Sequence, residues 1–186
     1  MIGYAFCGSF CTLSHSLTTM KQLLDDGQEI LPIFSERVFS TDTRFWQARE
    51  FVERVESLAG RRGISTIVEA EPLGPAIHLD ALVIAPCTGN TLAKIANGIT
   101  DGTVPMAAKA HIRSDRPLLL ALASNDALSA NLGNMALLLQ KKNVYFVPMR
   151  QDDPVRKPHS LVADFSHLPT CLSLAMKGEQ AHPLFL

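Results

Sequence analysis

Five short runs of this chain are apolar at nearly every position: residues 2–6 (IGYAF), 29–34 (EILPIF), 81–85 (ALVIA), 118–123 (LLLALA) and 144–148 (VYFVP). A strand with one wet face alternates apolar and polar residues, and these do not. They predict strands covered on both faces, the condition of a parallel sheet with helices packed on either side. The segments between them have helical spacing. A helix runs through Met20, Leu23 and Leu24 to about Gly27, and another carries Phe45, Ala48, Val52, Val55 and Ala59 and stops at Gly60. Further helices are expected around Leu92, Ile95, Ala96 and Ile99, over 106–112, from Asp126 to about Lys141, and over 168–176. Residues 64–68 (ISTIV) read as a weak extra strand, and 35–45 (SERVFSTDTRF) and 149–160 (MRQDDPVRKPHS) as loops. The expected fold is a three-layer, doubly wound, Rossmann-like α/β domain with a mainly parallel sheet, spanning 1–186.

Composition bounds the function. The chain is 47% hydrophobic and 19% charged, with a formal net charge of −1. No sustained basic run supports binding to nucleic acid or an anionic membrane, and no apolar stretch has the length of a membrane span. The N-terminus lacks a basic leader, so a cytoplasmic location is expected. Cys7, Cys11, Cys87 and Cys171 form no CxxC pair, and the six histidines show no ligand spacing, so no metal is expected. GxSxG, Walker A and GxGxxG motifs are all missing, which argues against serine hydrolases, P-loop enzymes and a self-contained dinucleotide site.

In a doubly wound sheet the ligand lies beyond the carboxyl ends of the strands. Those ends carry Gly8, Ser9 and Thr12, then Ser35, then Pro86, Cys87, Thr88, Gly89, Asn90 and Thr91, then Ser124, Asn125 and Asp126. Small hydroxyl and amide residues converging on one edge suit a mononucleotide phosphate and a flat heteroaromatic ring. The competing reading is an ordinary strand-to-helix turn capped by Asn90 or Thr91. Cys87, with no base nearby in sequence, is expected to pack. Lys94, placed in the first turn of its helix, faces either an anion or solvent.

Several segments, GSFCTLSHS, APCTGNTLAKIANGITDG, SNDAL and GNMALLLQKKNVYFVPMRQDDPVRKPHSLVA, resemble the B subunits of bacterial dipicolinate synthases. These form a branch of the flavoprotein superfamily that includes phosphopantothenoylcysteine decarboxylase, and the resemblance covers almost the whole chain. It implies an FMN site in which Gly8, Ser9 and Ser35 approach the phosphate, with Pro86, Thr88, Gly89, Asn90 and Thr91 around the cofactor and Thr88 and Asn90 by the ring and substrate. It also implies a partner, the dehydrogenase-like A subunit of dipicolinate synthase, which supplies NAD(P), and oxidation of a dihydro- or hydroxytetrahydrodipicolinate precursor to dipicolinate during sporulation. Asn90, Ser124, Asn125, Arg156 and Lys157 would then hold the small dicarboxylate substrate. The alternative for Arg156 and Lys157 is a solvated pair balancing Asp152 and Asp153.

Departures from the decarboxylases are also visible. The segment QDDPVRKPHS has no cysteine where theirs carry one, and His78 lies closer to the third strand than their histidine, so it is expected to be structural or solvent-facing. The superfamily resemblance further implies self-association, with Phe39, Phe45 and Trp46 as interface aromatics, although Phe45 fits the core face of the second helix better. No catalytic residue is assigned. Three functions stay open: a flavin-carrying subunit, a scaffold or activator of the dehydrogenase-like partner, and a stand-alone FMN-dependent decarboxylase-like enzyme.

Overall fold

Burial on both faces decides where the strands form. In the computed structural model, which describes residues 1–186, β1 (Ile2–Phe6), β2 (Ile30–Phe34), β3 (Ala81–Cys87) and β4 (Leu118–Ser124) are buried at every position except Ser124. They pair in parallel in the order β2-β1-β3-β4, and β5 (Val144–Phe146) joins β4, also in parallel. Successive side chains of β4 enter opposite cores: Leu118, Leu120 and Leu122 go to one, Leu119 and Ala121 to the other. Each buried leucine contributes about 1.5–3 kcal/mol relative to exposure, which makes an unalternating run stable only between two helical layers.

Those layers are built from amphipathic helices. One core holds Leu13, Met20 and Leu23 of α1 (Leu13–Asp25), followed later in the chain by Phe51, Val52 and Val55. The other takes Leu92 and Ile95, Val104 and Ala107, and Met135 and Leu138. The Phe51 group lies on a helix, Ala48–Ala59, that ends on Gly60 with φ 66°, the left-handed conformation glycine adopts without a Cβ penalty. Between it and β2, in the segment that reads as a loop, lies the short α2 (Glu36–Ser40); Ser35 caps it by accepting the Val38 N–H. The helix after α2, 48–59, is therefore α3.

Other differences have local causes. Residues 64–68 are not a strand, although Ile64 makes one parallel bridge to Ile33. Thr66 accepts the Glu69 N–H while the Glu69 carboxylate accepts the Thr66 N–H, and this capping box starts α4 (Ile67–Ala70) in spite of the β-branched residues. After β3, α5 (Gly89–Ala96) ends before Ile99, which is exposed, and α6 is Thr103–Ile112. The helix expected from Asp126 begins only at Leu132, as α7 (Leu132–Leu139), because the Asp126 side chain is engaged elsewhere. Phe45 is no core residue: it precedes α3, is 46% exposed and lies beneath the Arg44 guanidinium, while Phe51 fills the core and Trp46 packs edge-on against it. Phe39 is exposed.

The region that reads as a loop after residue 148 contains β6 (Met149–Arg150), which pairs antiparallel with β7 (Leu161–Ala163), itself antiparallel to the end of β4. Strands of two and three residues are too short to show a period. The chain closes with α8 (Leu168–Ala175) on the α1 side of the sheet.

Two polar arrangements join the layers, the first of them buried. Tyr4 Oη donates to the Ser16 carbonyl at 3.0 Å, and Ser16 Oγ donates to the Ala85 carbonyl, tying α1 to β1 and β3. Helix α6 begins after Gly102, which has no side chain to cap it, and the Glu36 carboxylate takes that place by accepting the Thr103 N–H at 2.7 Å and its hydroxyl at 2.9 Å. Glu36→Ala is expected to lower the unfolding free energy by about 1–2 kcal/mol. It should appear as an earlier urea midpoint at unchanged slope.

His111, wholly buried on α6, donates from Nε2 to the Pro117 carbonyl at 2.9 Å, whereas Nδ1 has no partner. Burial pushes its pKa below the ordinary 6.5, because protonation would place a second N–H where nothing accepts it. The unfolded chain then binds the proton more readily, so stability falls as the pH drops below 6.5 toward the lower folded value. Denaturant titrations across that interval should show a steeper loss for the wild-type protein than for His111→Gln, and parallel curves would refute the assignment.

Candidate functional site

The carboxyl ends of β1, β3 and β4 open into one edge of the sheet, and the loops there are shaped by their own hydrogen bonds. After β1 the chain folds back at once: Ser9 N–H donates to the Cys7 carbonyl at 2.8 Å, and the Thr12 hydroxyl lies 2.9 Å from the Ser9 carbonyl. After β3, Thr88 is the cap of α5; its Oγ1 accepts the Thr91 N–H at 3.3 Å and donates to Thr91 Oγ1 at 3.1 Å. Thr91 Oγ1 in turn donates to Cys7 Sγ at 3.4 Å. The capping residue is thus Thr88, not Asn90 or Thr91, because β3 runs through Cys87 and the helix starts earlier than the hydroxyl pattern implies.

Two adjoining cavities occupy this edge and share Gly8, Phe10 and Thr88. One, of about 520 Å³, is lined by Ser9, Gly89, Ser124, Asn125 and Lys157 among others; the second, of about 690 Å³, is lined by Ser35, Asn90, Thr91, Arg37 and Lys94. Both volumes fall in the range of small-molecule sites. Of the residues expected to hold cofactor or substrate, two are not brought here. Pro86 lies inside β3, where its carbonyl accepts the Cys7 N–H at 3.2 Å, and Arg156 is exposed outside both cavities. His78 is exposed on the approach to β3 and lines neither cavity, as expected of a solvent-facing residue.

Among the wall residues that sequence reasoning did not place at the site are Phe10, Cys11, Arg44 and Asp152 on the first cavity and Glu36, Arg37 and Asp101 on the second. Most come from loops with no motif to mark them, although Phe10 and Cys11 sit inside the hydroxyl-rich turn after β1. Lys94 is in the last turn of α5, where the helix dipole favours a cation, and it pairs with Asp101 at 2.8 Å. Lys157 pairs with Asp152 at 2.7 Å, and this hydrogen bond raises the lysine pKa and lowers that of the aspartate. Desolvation pushes the Cys7 thiol up to about 11 and Cys87 well above its usual value, so both pack as thiols; Cys11 is the cysteine that reaches a cavity.

The chemistry of the walls divides by position. Arg37, Lys94 and Asn90 on the second cavity supply cations and an amide, the donors a phosphate requires, beside the carboxylates of Glu36 and Asp101. The first cavity adds aromatic rings, Phe10 and Phe45, to hydroxyls and an amide, a setting for a flat polar ring. No three His, Cys, Asp or Glu side chains cluster so as to hold a metal, and no helix is long and apolar enough to cross a membrane.

The chain is similar to known proteins over nearly its whole length. The model of the Flavoprotein family matches residues 2–164. The chain is 43% identical over 185 residues to the B subunit of dipicolinate synthase from Bacillus subtilis strain 168, an alignment covering all of this chain and 92% of that protein. The crystal structure of the dipicolinate synthase B subunit from Bacillus halodurans superposes with a TM-score of 0.91 at 38% identity, covering 100% of this chain and 95% of the other. An FMN-dependent cysteine decarboxylase, SpaF, shares the fold at a TM-score of 0.65 and 24% identity, covering 94% of this chain and 95% of its own. The chain therefore belongs to the Flavoprotein family, in the branch of the dipicolinate synthase B subunits.

Proposed function

We propose that this chain is the FMN-carrying component of a two-subunit dipicolinate synthase. With a pyridine-nucleotide dehydrogenase-like partner, the A subunit, it would oxidise a partly reduced dipicolinate precursor to the aromatic dicarboxylate. The observation that carries the reading is the pair of cavities joined at Gly8, Phe10 and Thr88, one bringing Arg37 and Lys94 beside Glu36 and Asp101, the other bringing rings, hydroxyls and an amide beside Lys157 and Asp126. That donor set fits a flavin mononucleotide. Ser35, Arg37 and Lys94 lie where a phosphate would be held, and Ser9, Thr88 and Gly89 border the space for the ring. Bound flavin would supply a two-electron acceptor, a capacity no side chain has.

The substrate's carboxylates call for donors beside that ring. Asn125 and Lys157 lie on the same wall, and the Asp152 partner keeps Lys157 charged and in place. Cysteine-assisted decarboxylation is the weaker reading, since residues 151–160 contain no thiol.

Fluorescence titration of the folded chain with FMN is expected to show stoichiometric binding, weakened about ten-fold or more by Ser9→Ala or Asn90→Ala, the effect of one lost contact to a charged or polar ligand. Absence of binding in a folded sample would turn the reading to a scaffold of the dehydrogenase-like partner. In the reconstituted enzyme, Lys157→Ala should raise KM for the precursor about ten-fold while Arg156→Ala leaves it unchanged. Equal effects of the two would reject the assignment of Lys157.

A further inference from the structure

On one edge of the first cavity two acceptors, Ser124 Oγ and the Asp126 carboxylate, flank the Asn125 amide. Asp126 Oδ1 receives two hydrogen bonds, one from Ser124 Oγ and one from Asn131 Nδ2 at 2.9 Å. Asn131 is buried, and its Oδ1 accepts from Asn134 Nδ2 at 2.9 Å; Asn134 Oδ1 accepts from Asn97 Nδ2 at 3.0 Å. The three amides are aligned in one sense, each N–H directed toward the aspartate. That sense follows from the aspartate itself, because an ionised carboxylate only accepts. The Ser124 hydroxyl and the Asn131 amide both stabilise the charge and hold the Asp126 pKa below the usual carboxylate value.

Two consequences reach the cavity wall. Both internal bonds fall on Oδ1, so Oδ2 keeps its lone pairs for a ligand. The single hydrogen of Ser124 points to Asp126, so toward a ligand its Oγ is an acceptor as well. Ser124 and Asp126 both line the cavity. Gly89 makes the arrangement sterically possible: a Cβ there would collide with Ser124 Oγ and lie 2.6 Å from Asn131 Nδ2 and 2.7 Å from Asp126 Oδ1. The first residue of α5 has to be bare for this group to sit against it.

The ligand carboxylates on the two carbons beside the ring nitrogen are repelled by Asp126 itself and require the donors of Asn125 and Lys157 on the same lining. A ring nitrogen that carries a proton is attracted, and a nitrogen that presents a lone pair is not. We propose that Asp126 is the specificity residue of this site, selecting a nitrogen heterocycle dicarboxylate whose ring nitrogen bears hydrogen, as amine, enamine or protonated imine, against the aromatic pyridine. This rests on the dicarboxylate reading above. It gives the cavity a reason to hold the reduced ring and to release the aromatic one.

Calorimetric titration with piperidine-2,6-dicarboxylate and pyridine-2,6-dicarboxylate, with and without FMN and with the dehydrogenase-like partner present, tests it. The wild-type protein should favour the piperidine. Asp126→Asn keeps size and Oδ1 but puts an N–H where Oδ2 was, and the affinity ratio should swing toward the pyridine by about ten-fold or more. FMN affinity should stay within about two-fold. Asn125→Ala, on the same wall, should weaken both ligands and leave the ratio unchanged. Equal affinities in the wild-type protein, binding of neither compound, or an unaltered ratio in Asp126→Asn would overturn the proposal. So would a loss of FMN affinity in place of the swing, since the carboxylate would then serve the cofactor. Failure to bind FMN with the swing intact would count against the flavin reading alone.

Discussion

The organisation of this protein follows from a sheet whose central strands are covered on both faces. Backbone N–H and C=O groups in β1–β4 are satisfied laterally, and the side chains between them are apolar, so nothing polar can emerge until a strand ends. Parallel pairing then gathers those ends along one edge. The ligand cavities lie there because the topology leaves the unpaired amides, helix starts and small polar side chains nowhere else to meet.

Much of that polarity serves the fold itself. Thr88 caps α5, Thr91 links it to Cys7, Ser35 caps α2, Glu36 caps α6, and Ser16 reaches the carbonyl of Ala85. Each helix that starts at the sheet edge has unsatisfied N–H groups and requires an oxygen near them. A dense cluster of Ser and Thr is therefore expected at such an edge with or without a ligand. What separates a ligand contact from a cap is the direction of its hydrogen, and by that criterion Thr88 frames the site while Asn90, exposed on the cavity wall, is free to face into it.

The same distinction explains what could be read from the sequence. The five apolar runs announced five strands because burial on both faces removes the polar alternation of a strand with one wet face. Gly60 marked the end of a helix because only the left-handed residue was needed there. Residues 64–68 misled because a capping box, Thr66 with Glu69, outweighs the propensity of a few β-branched residues. β6 and β7 were invisible since two or three residues carry no period. At the site, residues following a strand directly were legible by position, whereas Arg37, Arg44 and Asp152 arrive from segments whose course depends on tertiary packing. Arg156 and Lys157 are adjacent in sequence, yet only Lys157 lines the cavity; Asp152 pairs with it there.

Asp126 shows how a local rule and a site can compete for one residue. An aspartate after a strand and before an apolar helical segment reads as a helix cap. Had it capped, its oxygens would have faced helix amides, and the helix would have begun near residue 127. It accepts from Ser124 and Asn131 instead, the intervening residues form turns, and α7 starts at Leu132. The late start of the helix and the charged edge of the cavity are thus one event. The carboxylate is turned back onto the end of β4, and the chain loses a cap in order to keep an ionised group beside the ligand space. Local preferences that go unused at a cavity wall identify the residues whose chemistry the site depends on.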